Sequence, residues 1–152
     1  MGYVGGKLLL SCAVFGLFSG VILSEDAFAT QDLNLQGAVV RCKAGQDSYV
    51  FAFRERLGTD PAFRTEVTKN GALLRCVEHS GKPACIAFAD QEGDPWQLWM
   101  DIPGSELMIA SMVTQSNPQI VASVLTHGPI GEALNKPVQC SLSLGQHFRI
   151  GK

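Results

Sequence analysis

The chain is poor in the residue types and spacings on which small catalysts and metalloproteins rely. Only three of its 152 residues are histidine, and no Cys-x-x-Cys pair occurs, so the usual dithiol redox centre is excluded. There is no Gly-x-Ser-x-Gly elbow, the best local signature of a serine hydrolase. Lysine and arginine nowhere form a run, and 12 of them face 14 aspartates and glutamates. Without a basic cluster there is no electrostatic footing for nucleic acid or anionic lipid. Long apolar runs are absent too, with a single exception at the start of the chain.

That exception reads as a signal peptide over residues 1–29. Lys7 supplies the only early charge, Leu8 to Leu23 is apolar with small interruptions, and Ser24-Glu25-Asp26 leads into Ala27-Phe28-Ala29. Charged start, apolar middle and small-residue exit come in the order an exported precursor requires. The apolar run is shorter than the roughly 20 residues of a spanning helix. Leu9-Leu10-Ser11-Cys12 is a weak match to a lipoprotein box, with most of the apolar run behind the cysteine instead of ahead of it. Met1-Gly2 lacks the hydroxyl residue that myristoylation wants, since Gly6 stands there. The expectation is a single exported domain over residues 30–152, periplasmic or alternatively extracellular, with no stable membrane span after cleavage. With Lys7, Glu25 and Asp26 removed, 11 cations face 12 carboxylates.

Four cysteines remain in that domain: Cys42, Cys76, Cys85 and Cys140. An even number in an exported domain implies two disulfides, and four cysteines allow three pairings. Cys76 and Cys85 are symmetric about Ser80-Gly81, a plausible two-residue turn between Leu73–His79 and Lys82–Asp90. Counting outward places them opposite each other at a close-approach position, about 4.5 Å between Cα atoms, within disulfide range. Elimination pairs Cys42 with Cys140.

The rest of the chain divides into short segments. Ala38–Lys43 is a strand candidate. Ser48–Leu57 fits both periodicities, and Arg54-Glu55-Arg56 favours a helix, because a half-buried strand would drive one of three successive charges into the core. Asp60 and Pro61 open a second short helix, with Phe63 and Val67 as its core contacts. From Thr68 onward the signals are β. Asn70-Gly71 marks a hairpin, and Trp96–Ile102, Glu106–Thr114, Gln119–Thr126, Val138–Leu144 and His147–Ile150 are strand candidates between Pro- and Gly-containing turns. Glu106–Met112 and Ile120–Leu125 also tolerate a helical reading. The expected fold is α+β, an antiparallel sheet of five to seven strands with one or two N-terminal helices, the alternative being an all-β barrel or sandwich.

Chemistry-bearing constellations are few. Asp90-x-Glu92-x-Asp94 with Asp101 imitates the spacing of a calcium loop, but Pro95 stands where the sharp turn needs glycine. Cys76, His79 and Cys85 lack the second ligand pair of a zinc site. His79, His127 and His147 sit beside turns or at a strand end, with no partner spacing that argues for acid–base work. No catalytic residue, cofactor site or metal site is therefore assigned. The candidate contact region is the acidic loop with its tryptophans: Asp90, Glu92, Asp94, Trp96 and Trp99. Exposed tryptophan is a strong protein-binding anchor.

The functional expectation that follows is a non-catalytic exported protein-binding module: an inhibitor, an immunity-type protein or an envelope accessory. Its partner is a protein in the envelope or outside the cell, not nucleic acid. The alternative is a small apolar-ligand-binding protein, with Phe51, Phe53, Phe63 and Phe88 lining an apolar cone. A small hydrolase using one of the histidines comes third.

Overall fold

The computed structural model describes residues 32–59, 61–76, 85–90, 95–104, 106–114, 117–127 and 136–151. Twelve strands run through them: β1 (Leu33–Asn34), β2 (Val39–Ala44), β3 (Asp47–Leu57), β4 (Ala62–Lys69), β5 (Ala72–Leu73), β6 (Cys85–Asp90), β7 (Trp96–Ile102), β8 (Glu106–Val113), β9 (Gln119–His127), β10 (Lys136–Pro137), β11 (Gln139–Ser143) and β12 (Arg149–Ile150). No helix occurs among the described residues. The α+β expectation is thereby corrected to all-β.

Both expected helices are strands, for reasons visible in the register. Phe53 faces Thr65 and Glu55 faces Arg64, so Arg54 is an extra residue, a β-bulge. The bulge puts Arg54 and Glu55 both outside while Tyr49, Phe51 and Phe53 point in. Three successive charges are thus compatible with a half-buried strand. Arg56 lies at the strand's end, where it pairs with Asp32 and donates to the Thr59 carbonyl at 2.8 Å. The second helix is absent because Phe63 and Val67, four apart, share a face in a strand as well as in a helix. Thr65 lies buried between them on β4.

Most of the chain is an antiparallel meander with the order β10-β9-β8-β7-β6-β4-β3-β2-β11, β5 pairing with β4 at the side. Asn70 (φ 52°) and Gly71 (φ 82°) make the β4–β5 turn with the left-handed backbone that this residue pair permits.

The two ends of this order, β10 and β11, lie on one continuous segment. Lys136 and Pro137 pair with β9, the Val138 amide donates to the Ser123 carbonyl at 3.1 Å, and from Gln139 onward the segment pairs with β2. One strand-like segment therefore joins the first wall to the last, and the sheet curls into a nearly closed barrel. Closure removes the exposed sheet edges that invite aggregation.

Side chains alternate in and out along each wall. Phe51, Phe63, Val67, Ala87, Leu98, Met100, Met108, Ala110 and Met112 all have no exposed surface, so the interior is a packed core. At the end where β3 finishes, β1 and β12 pair to form a cap whose Leu33, like the following Leu35, is wholly buried. The cap is tied on by the Gly37 amide donating to the Phe53 carbonyl (2.8 Å), and its own pairing is extended by the Gly151 amide donating to the Asp32 carbonyl (2.7 Å).

Both disulfides are present. Cys42 and Cys140 are opposite each other in the β2–β11 ladder, and Cys76 joins Cys85 at the start of β6. The turn at Ser80-Gly81 and residues 1–29 lie outside the described residues. Two disulfides in a small β domain fit an oxidising location outside the cytoplasm.

Candidate interaction surface

The residues singled out in the sequence separate in space. Trp96 and Trp99 are on β7, three apart, so one faces in and the other out. Trp96 is buried in the core opposite Met112. Trp99 is half-buried on the outer wall. Asp90, at the end of β6, is exposed; Glu92 and Asp94 lie outside the described residues. Phe51, Phe53 and Phe63 point inward as the apolar-cone reading expects, whereas Phe88 points outward and is 50% exposed.

Phe88 belongs to a row that sequence reasoning missed. Ladder pairing puts Phe88 opposite Trp99, Trp99 opposite Ile109, Ile109 opposite Val124 and Val124 opposite Pro137. These are five apolar side chains on five neighbouring strands, all on the outer face. At about 4.8 Å per strand step the row is about 19 Å long. No local pattern predicts it, since its members are 11, 10, 15 and 13 residues apart in the chain.

Polar residues flank the row. On one side Gln97 and Ser111, opposite each other, exchange side-chain hydrogen bonds of 3.0 and 3.1 Å, with Asp90 next to Gln97. On the other side Asp101 faces Leu107, and Leu107 faces Thr126. Partial burial pushes the Asp101 carboxyl above its usual value. A carboxylate against apolar neighbours loses hydration that nothing local replaces. A bulge at Val121, left unpaired between Ile120 and Ala122, adds a 54% exposed valine on β9.

The other polar constellation lies at the barrel end away from the cap. The Tyr49 hydroxyl donates to Glu106 Oε2 at 3.3 Å, and Lys69 Nζ is 3.2 Å from Asp47 Oδ2 and 5.2 Å from the Tyr49 ring centroid. Asn70 Nδ2 donates to Asp47 Oδ1 at 2.9 Å. Hydrogen bonds from Asn70 and Lys69 hold Asp47 below its ordinary value. Those to Tyr49 and Asp47 hold Lys69 above its own, and burial raises the Tyr49 phenol. Each shift moves its group further from neutrality, whereas a general acid or base works best near the operating pH. This network clamps the β2–β3 and β4–β5 turns together. Of the histidines, His147 lies exposed in a turn and His127 ends β9 opposite Glu106 in the ladder; His79 lies outside the described residues.

Among the described residues no helix is long and apolar enough to cross a membrane. A lipid-embedded barrel is apolar outside and polar within. Here the core is apolar and the outer faces of β2 and β3 carry exposed Arg41, Lys43 and Arg54. This chain matches no family model, and no curated protein or solved structure is significantly similar to it.

Proposed function

We propose that this protein is a non-catalytic exported binding protein, periplasmic in location, whose outer apolar row receives a protein partner. The observation that carries the reading is Phe88, half exposed beside Trp99 in an aligned apolar row. The core is already filled from within, and an aligned apolar row on the outer face, exposed at Phe88 and Pro137, is the kind of patch that marks an interaction surface. Aromatic anchors dominate such contacts. Of the tryptophans first considered, Trp96 is buried in the core and Trp99 lies half-buried on the outer face, which favours Trp99 for this role. The test is binding by the double variant F88S/W99A: it keeps the barrel, read by circular dichroism and melting, and loses the partner. Retained binding refutes the assignment.

The barrel itself speaks for a second reading, a small apolar ligand held inside, because such barrels can enclose one. Phe51, Phe53 and Phe63 line that interior as this reading expects. Met100, Met108 and Met112, flexible side chains that fill the remaining space, would have to move aside for a ligand to enter. A thermal-shift screen with fatty acids and aromatic ligands decides it. A dose-dependent rise in melting temperature that F88S/W99A leaves intact supports an interior site over the outer row.

A further inference from the structure

Charge on this barrel is segregated by strand. Between Lys82 and Lys136 the chain carries six carboxylates and no lysine or arginine. From Thr30 onward, the remainder carries all 11 cations and the other six carboxylates. The meander converts this linear asymmetry into a spatial one, since β6, β7, β8 and β9 are consecutive neighbours in the sheet. The ion pairs Arg54–Glu66, Arg56–Asp32, Arg64–Glu55 and Lys69–Asp47 all lie in the other half. On the acidic wall, Asp90 and Asp101 are exposed and have no ion-pair partner among the described residues. Both stand on the outer face two residues from the apolar row, Asp90 after Phe88 and Asp101 after Trp99.

We propose that the row docks a cationic protein surface, one with an apolar spot ringed by arginine or lysine. This deepens the protein-binding reading and rests on it. Closing an apolar contact over Phe88 and Trp99 strips water from the two neighbouring carboxylates. That costs free energy unless the partner supplies charge-assisted hydrogen bonds. Asp101 already shows the penalty in its raised carboxyl value. Anionic surfaces are repelled, and a neutral apolar surface leaves both carboxylates buried and unpaired. A second copy of this chain fits less well: the exposed cations Arg41, Lys43 and Arg54 stand on β2 and β3, with no matching apolar row among the described residues there. The same acidic field would speed encounter with a basic partner, making association dependent on ionic strength.

The test places a photoreactive benzophenone side chain at Phe88, and as a control at Arg54 on β3, outside the apolar row, in the full-length chain in its native cells. The protein captured at Phe88 is then purified, and its binding to the mature wild type and to D90K/D101K is measured at low and at physiological ionic strength. The inference expects an adduct at Phe88 and not at Arg54, and a basic captured protein. It also expects a roughly tenfold to hundredfold affinity loss in D90K/D101K, mostly in the association rate. D90N/D101N, which removes charge without reversing it, falls between, and melting curves show all variants folded. A captured protein that binds D90K/D101K like wild type, with no salt dependence, overturns the cationic partner while leaving protein docking in place. No adduct at Phe88, or equal adducts at both positions, overturns the protein-binding reading itself. An adduct between two copies of this chain replaces both with self-association.

Discussion

Gly145 lies backbone to backbone on Gly37. A β-carbon on Gly145 would come within 2.6 Å of the Gly37 carbonyl oxygen and 2.7 Å of its Cα. Gly37 itself has φ +81°, the left-handed region that favours glycine. The two residues hold the loop after β1 against the loop before β12, so the cap is seated through a contact that tolerates no side chain at position 145.

Gly145→Ala is expected to destabilise the protein by about 1–3 kcal/mol, the cost of forcing atoms into a filled space. Gly45→Ala is the control: nothing lies near its β-carbon, so only its φ of +64° opposes the change. Denaturant melts of the two variants check the order, and equal losses would mean the cap contact is not tight.

The two disulfides should differ in worth. Cys42–Cys140 closes a separation of 98 residues and Cys76–Cys85 one of 9. Chain entropy alone gives about 5 kcal/mol for the first and about 3 kcal/mol for the second. C42A/C140A should therefore unfold at lower denaturant than C76A/C85A. The reverse order would place the larger contribution in local contacts of the short loop.

Trp96→Ala and Trp99→Ala separate core from surface on a single strand. The buried Trp96 should cost about 3–5 kcal/mol, enough to threaten the fold. Trp99→Ala should cost clearly less and leave the circular dichroism spectrum unchanged. A larger loss at Trp99 would assign the outer row to stability and remove its role as a contact surface.

Acid should weaken the clamp at the open end. Asp47 has a folded value below the ordinary 3.8, so its contribution is complete above that value and is lost as pH falls through the lowered one. Asp47→Asn should therefore narrow its stability deficit against wild type as pH drops below about 4. For Asp101 the sign is opposite. Its raised value makes the ionised form unfavourable when folded, so Asp101→Asn should stabilise at neutral pH, with the gain vanishing in acid. Melting curves across pH 2–8 read both, and parallel curves for the variants and wild type would refute both assignments.

Much of the strand content is legible along the chain. Trp96–Ile102 alternates and is bounded by turn residues, and it is a strand over those same residues. The Asn70-Gly71 turn is legible because positive φ is a local demand that few residue pairs meet. The helix expected over Ser48–Leu57 shows where such reading stops. The bulge at Arg54 rotates two successive charges outward, and a bulge is a property of two paired strands. The outer row was illegible for the same reason: Phe88, Trp99, Ile109, Val124 and Pro137 resemble any strand residues until pairing lines them up.

Sequence by itself determined local choices: the strand over Trp96–Ile102, the Asn70-Gly71 turn, and the match of Cys76 with Cys85, which leaves Cys42 for Cys140. These depend on backbone sterics and on spacing within a few residues. Only the tertiary structure decided that the sheet closes on itself through Lys136–Ser143, and which side of each strand became the core. It also decided that an acidic stretch became one wall whose outer face carries a partly exposed apolar row. Alternation says that a strand has two unlike faces, but register and neighbours are fixed by hydrogen bonds between distant segments, and those bonds are what set Phe88 beside Trp99.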